Sequence, residues 1–325
     1  MPSGWSRRRR RRRHHTQSWL SCGSCVGVPL FPLSSAASHS SKFNCRVKKV
    51  KIENIEIDDT IDCLVVTSDA HAAAEALIGF EQSVAALPGT WKMLFAGDVI
   101  GGGIDAVETV DWVRAHAEGR AVRGNHDECI VPKPQPGESH CPGSRWHASG
   151  ELSDAGYRFV QELPDQVHVC WRGKKIRMIH GDMEPDGEQP VPWLITSKEL
   201  TDIFGDPQFD LTVTGHTHHP FVRREGDRYL ANAGSIAWPF VATVMEDGST
   251  HSWAGDDAVV DSSNCRSSYL VVTEKEAELA VEIVRFDYDR EALLDKLAVT
   301  EQPIEFWRLL LTTGVVNLQM LKSSC

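Results

Sequence analysis

Nothing in the 325 residues approaches the roughly 20 consecutive apolar residues that a membrane-spanning helix needs, which excludes an integral helical membrane protein. The nine cysteines are odd in number and scattered from Cys22 to Cys325. That is no disulfide framework and points to a reducing compartment. Cys22 and Cys25 have CxxC spacing, but no second pair completes a zinc ribbon. Acidic residues are missing altogether from the first 51 positions, which hold 12 Lys and Arg. The rest of the chain is correspondingly acidic, with 22 basic residues against 45 Asp and Glu. An acidic body disfavours a protein that coats nucleic acid, because backbone binding relies on Lys and Arg. It does not exclude small phosphorylated ligands, since bound metal ions invert the local charge. No internal repeat is present.

The composition divides the chain into three segments. Residues 1–52 form a Ser/Arg-rich extension with seven consecutive arginines, Arg7 to Arg13. Such a composition builds no core, so disorder is expected there. It reads as an organellar transit peptide, a basic nucleic-acid or nuclear arm, or a dispensable extension. Residues 53–300 carry the domain, and residues 301–325 form a partly apolar tail whose role stays open. Short apolar runs at 63–67, 92–96 and 121–123 alternate with helical patterns at 72–87 and 104–118. That is βαβαβ, with parallel pairing and right-handed crossovers. A long Pro- and Gly-rich loop follows at 131–147, then a helix at 152–163. Further strands are expected at 166–171, 175–179, 211–214, 221–224, 229–231, 269–273 and 280–286, giving an antiparallel or mixed second half and two sheets packed face to face.

Five motifs carry chemistry, each placed after an apolar run. They are Asp69-Ala70-His71, Gly97-Asp98, Gly124-Asn125-His126-Asp127, His180-Gly181-Asp182 and Gly215-His216-Thr217-His218. Together they offer the carboxylate, amide and imidazole donors that suit divalent transition metals. Hydrolysis of a phosphate ester is assisted by two such ions about 3.5–4 Å apart, which requires a shared ligand, and Asp98 is the natural bridging carboxylate. The i, i+2 spacing of Asp69 with His71, and of His216 with His218, places both members of each pair on the same side of an extended segment, so that each pair points into one site. Glycines beside the ligands let the backbone turn sharply.

In type, order and spacing these motifs resemble those of the calcineurin-like metallophosphoesterase superfamily, over roughly residues 60 to 290. The resemblance implies an α/β fold, an α/β/β/α sandwich of two mixed sheets flanked by helices. It also implies two divalent metal ions, of which Mn²⁺, Fe²⁺ or Zn²⁺ suit the histidine ligands better than Mg²⁺. Asp69, His71 and His218 would bind one ion, Asn125, His180 and His216 the other, and Asp98 would bridge. His126 would lie near the leaving-group oxygen with Asp127 orienting it, while hydroxide generated at the metals attacks. The protein phosphatases and symmetrical diadenosine tetraphosphatases carry an Arg shortly after the bridging Asp. Here residues 97–103 read Gly-Asp-Val-Ile-Gly-Gly-Gly, so both branches are disfavoured. Asn232-Ala233-Gly234-Ser235 resembles the Asn-Pro-Gly-Ser of small prokaryotic phosphodiesterases.

The resulting expectation is a hydrolase acting on phosphoric ester bonds of a small phosphorylated substrate, nucleotides included. Its compartment would be the cytoplasm, or an organelle matrix if the leader is a transit peptide. The alternatives are a non-catalytic scaffold on the same fold and a nuclease. Outside the motifs, plainer readings prevail. His219 would face away from the site, and His168 would pack or lie exposed. His140, Cys141 and His147 would be loop residues in solvent. For Trp146, Trp193 and Trp238, core packing competes with lining a cleft, and Arg223 and Arg224 would sit on a solvated strand edge.

Overall fold

In the segment Cys63-Leu-Val-Val-Thr67, all five side chains are buried, and the pleat sends neighbours to opposite faces. Cys63 and Val65 join one apolar cluster, while Leu64 and Val66 join another. A strand that is apolar on both faces must lie between two layers, and this one does. The computed structural model describes residues 50–128, 152–183, 191, 194–252, 265–300 and 303–323. The basic leader, the 131–147 loop, Trp146 and Trp193 therefore lie outside the described residues.

The elements run β1 (Ile52–Ile57), β2 (Cys63–Thr67), α1 (Ala74–Val84), β3 (Trp91–Phe95), α2 (Ala106–Ala117), α3 (Asn125–Glu128), α4 (Asp154–Glu162), β4 (Gln166–Trp171), β5 (Lys174–Ile179), α5 (Ser197–Phe204), β6 (Leu211–Thr214), β7 (Phe221–Glu225), β8 (Arg228–Asn232), β9 (Ala242–Val244), β10 (Thr250–Ser252), β11 (Ser267–Lys275), β12 (Glu278–Phe286), α6 (Arg290–Ala298), α7 (Ile304–Thr313), β13 (Val315–Asn317) and α8 (Leu318–Ser323). One mixed sheet has the order β1-β4-β5-β6-β8-β7 and a second β12-β11-β2-β3. Leu64, Val66 and Leu94 of the second sheet meet Val167, Val169, Met178 and Val213 of the first, so the two face each other across an apolar core. Val65, Met93 and Phe95 point outward onto Leu77, Phe80, Val110, Val113 and Val160 of α1, α2 and α4. Behind the six-stranded sheet, Leu200 and Phe204 of α5 cover Ile179 and Leu230. The expected sandwich of two mixed sheets flanked by helices is what these layers form.

Several elements depart from expectation. The strand expected at 121–123 is a single parallel bridge, Phe95 to Ala121, so the βαβαβ unit ends early. β2 and β3 do pair in parallel. β1 was not expected, because its Ile-Glu-Asn-Ile-Glu-Ile sequence is mostly exposed. It pairs in parallel with β4 at the sheet edge, where main-chain bonding is joined by Ile57, buried in the inter-sheet core, and Ile55 packed against it. α5 is short but closed by a capping box between Thr196 and Glu199. In the C-terminal segment, α7 buries Phe306, Trp307, Leu310 and Leu311 and ends on the left-handed Gly314. β13 then adds in parallel to β9, making a third, three-stranded sheet with β10.

Candidate metal centre

β2 and β3 of one sheet, and β5 and β6 of the other, each run straight into a motif loop. Asp69 and His71 follow β2, Asp98 follows β3, His180 follows β5, and His216 and His218 follow β6. Asn125 and His126 open α3, just after the bridge at Ala121. Parallel pairing of β2 with β3 and of β5 with β6 gathers these carboxyl ends on one edge of the sandwich, where open α/β sheets place their ligands. Asp69, His71, Asp98, His180 and His218 are almost wholly buried, and Asn125 is 7% exposed.

The ligand loops are not extended. Asp69, His71, Asp98, His216 and His218 all have positive φ, between 48° and 69°. The i, i+2 pairs therefore converge through left-handed turns, not through the alternation of an extended strand. Non-glycine residues adopt that conformation at a cost and cluster at functional sites. The glycines act in two ways. Gly97 and Gly181 have positive φ themselves. Gly124 instead makes room, since a Cβ there would lie 2.1 Å from Asp98 Oδ1.

Three histidines are oriented by main-chain carbonyls. His71 Nδ1 bonds Gly101 O at 2.8 Å, His180 Nδ1 bonds Ala96 O at 2.7 Å, and His218 Nδ1 bonds Trp238 O at 2.7 Å. A carbonyl can only accept, so each Nδ1 carries hydrogen and each Nε2 offers its lone pair when the ring is neutral. Those Nε2 atoms converge on one another and on carboxylates. His71 Nε2 is 2.9 Å from His218 Nε2, and His218 Nε2 is 3.2 Å from Asp69 Oδ1. Asp98 Oδ2 lies 3.6 Å from His71 Nε2 and 3.2 Å from His180 Nε2, so it is within reach of both groups. Asn125 Oδ1 sits 3.1 Å from His180 Nε2 and 3.0 Å from His216 Nδ1. Buried lone pairs that face one another require positive charge between them. Without a cation, protons fill that role. Burial disfavours charged imidazoles, yet hydrogen bonding to Asp69 and the charge of Asp98 raise His71, and Asp98 raises His180 strongly. Burial and the neighbouring His180 charge push His216 the other way, to about 3, and its buried Nε2 has no hydrogen-bond partner among the described residues. The donor set fits divalent cations: Asp69, His71 and His218, and likewise Asp69, Asp98 and His180, bring their ligand atoms within 4.8 Å of one another.

All seven expected ligands and His126 thus come together. The His126 ring stands edge-on to His71, with centroids 4.9 Å apart, and its main-chain N–H donates to Asp98 Oδ1. Asp127 lies beneath them. Its Oδ1 accepts from the amides of Val99 and Ile100, and its Oδ2 from those of Asp98 and Gly124. Burial and the Asp98 carboxylate push Asp127 up to about 7.

Two features carry more than the sequence showed. Asn232 donates to Gly215 O and Thr214 Oγ1, while Ser235 Oγ donates to Asp69 O and accepts from the amides of Ala237 and Trp238. The Asn-Ala-Gly-Ser segment therefore ties the β6 loop to the β2 loop. Trp238 is core, as its size suggests, but it also stacks on His71 with centroids 4.3 Å apart. Nothing in a lone Trp signals this; its place three residues after Ser235 is the available clue. His168 lies away from the site against Phe209, and Arg224 pairs with Glu278 on an exposed edge.

Residues 63–247, just over half of the chain, match the calcineurin-like phosphoesterase superfamily domain. The chain belongs to that superfamily. Among its relatives, the uncharacterized protein MJ0912 of Methanocaldococcus jannaschii is 26% identical over 247 residues, covering 74% of this chain and 93% of its own. A metallophosphoesterase from Sphaerobacter thermophilus superposes with a TM-score of 0.56 at 22% identity, over 78% of this chain and all of its own. The hypothetical protein PH1004 of Pyrococcus horikoshii gives 0.57 at 13% identity, over 78% and 98%. At those identities the two structures bear on the fold alone. Calcineurin-like phosphoesterases are in general phosphoester hydrolases, and among the described residues no helix is long and apolar enough to cross a membrane.

Proposed function

We propose that this superfamily member is a metal-dependent phosphoesterase that hydrolyses a phosphodiester or phosphomonoester of a small molecule, nucleotides included. The observation carrying this reading is the buried convergence of Nε2 lone pairs and carboxylate oxygens on one edge of the sandwich. Asp69, His71 and His218 would hold one divalent ion and Asn125, His180 and His216 a second, with Asp98 shared. Imidazole donors suit Mn²⁺, Fe²⁺ or Zn²⁺. When bound, such ions polarise a phosphoryl oxygen and make water more acidic.

The chain's own residues position and move protons. The Gly101, Ala96 and Trp238 carbonyls lock three imidazoles in one tautomer. Asp127 gathers four amides and so pins the Asp98 loop to the start of α3. His126 would give a proton to a departing oxygen, a role supported by its ring beside His71 and its main-chain N–H on Asp98. Its orientation comes from the α3 turn that Asp127 fixes.

The test is hydrolysis of p-nitrophenyl phosphate and bis(p-nitrophenyl) phosphate by metal-stripped protein, then with Mn²⁺ restored, alongside Asp98→Asn. Turnover that returns with Mn²⁺ and disappears in Asp98→Asn is expected, and the better ester names the substrate class. A folded protein inert with every metal would move the reading to a scaffold role or a narrow substrate.

A further inference from the structure

We propose that helix α7 fixes the position of His71 through two indoles in series, Trp307 tilted against Trp238 and Trp238 stacked on His71, which makes both tryptophans positioning residues of the metal centre. This rests on the metal-dependent reading above. Trp238 lies nearly parallel to the His71 imidazole, with an interplanar angle of 14°. Trp307, on α7, packs against the Trp238 indole at an interplanar angle of 51°, with centroids 4.6 Å apart. Both tryptophans are about 95% buried.

The geometry is more specific than apolar filling. His71 is tethered through Nδ1 to Gly101 O and can still pivot about that bond. A flat ring laid against its face removes the pivot, and an aliphatic side chain of similar volume would not define that plane. The same Trp238 offers its carbonyl to His218 Nδ1, so one residue restrains both rings of the close Nε2 pair. Its indole occupies space that Gly102 leaves open, since a Cβ at Gly102 would lie 1.9 Å from the ring. Ser235 holds the Trp238 amide at 2.7 Å and the Asp69 carbonyl at 2.8 Å, keeping the indole in register with the β2 loop. Trp307 lies outside the segment that matches the superfamily, residues 63–247. α7 thus brings a support to the site from outside that matched segment.

The experiment is calorimetric titration of the metal-stripped full-length chain with Mn²⁺, paired with thermal unfolding. The variants are Trp307→Leu, Trp307→Phe, Trp238→Phe and Leu297→Ala. Leu297 is buried in the same apolar cluster on α6 and serves as a control for simple loss of packing. Trp307→Leu is expected to weaken Mn²⁺ binding about tenfold, the lower end for losing a support of a metal ligand. Trp307→Phe and Trp238→Phe should retain most of the affinity. Leu297→Ala should lower the melting temperature at least as much as Trp307→Leu yet bind Mn²⁺ like the parent. Parental affinity in Trp307→Leu, or equal weakening in Leu297→Ala, overturns the proposal. If Trp307→Leu does not fold, Trp238→Phe decides, since a loss as large as tenfold there without lost stability contradicts rescue by a flat ring. A parent chain that binds no Mn²⁺, Zn²⁺ or Fe²⁺ brings down the metal reading itself, and this inference with it.

Discussion

A single hydrogen atom separates a working Gly124 from a blocked one. Its α-carbon faces Asp98, and a methyl group there would lie 2.1 Å from Oδ1, which leaves no room for any side chain. Gly124→Ala is therefore expected to displace the Asp98 carboxylate and weaken Mn²⁺ binding by about tenfold or more, while the rest of the fold persists. Titration with Mn²⁺ checks this, and parental affinity would show that the Asp98 loop can shift without harm. At this scale the sequence was informative about identity and wrong about conformation. The residue types at 69, 71, 98, 125, 180, 216 and 218 are what a metal site needs, and the structure brings them together. Their left-handed backbone is invisible to a pattern of alternation, because Asp and His do not advertise positive φ as glycine does.

At the scale of elements, the helices hold the ligand loops in place through a few polar contacts. Lys296 on α6 reaches Glu75 at the start of α1, at 2.5 Å, and Asp105 at the start of α2, at 3.0 Å. Glu75 is 8% exposed, and its Oε2 is buried without a hydrogen bond among the described residues, so the carboxylate depends on that ammonium. Lys296→Met should cost about 1–2 kcal/mol, below the range for a fully buried pair because Lys296 is partly exposed. Adding Glu75→Gln should recover part of the loss; a double variant as unstable as the sum of both singles would show that the pair is not coupled. On α5, Thr196→Ala removes half of a capping box and should cost about 1 kcal/mol in urea unfolding, with no change in Mn²⁺ affinity. Neither α5 nor the edge strand β1 was expected from the sequence, although Thr-Ser-Lys-Glu at 196–199 carries the capping pattern. A short Ile/Glu-rich run looks the same in a strand and in a loop until a neighbouring strand supplies its hydrogen bonds and the facing sheet covers Ile55 and Ile57.

Across the whole molecule, two sheets and three helical faces bury a set of like-charged and lone-pair atoms at one edge. A ligand that binds only the folded chain stabilises it by mass action, by about 2.7 kcal/mol at a hundredfold excess over Kd. Mn²⁺ should therefore raise the melting temperature of the metal-stripped protein, and Asp98→Asn should remove most of that rise. Imidazole ligates only when neutral, so the rise should shrink as the pH falls, because protons then compete for the same nitrogens. A melting temperature indifferent to Mn²⁺, Zn²⁺ and Fe²⁺ at neutral pH would argue against a metal centre.

The sequence by itself determined the donor types of the candidate metal centre, the alternation of strand and helix up to it, and the superfamily, because these depend on residue type, order and local periodicity. Only the tertiary structure decided which atoms face each other. Nε2 rather than Nδ1 points inward because carbonyls from distant loops take the other nitrogen. Trp238 is a support rather than mere core because β2 and α7, far apart in sequence, close on it from two sides.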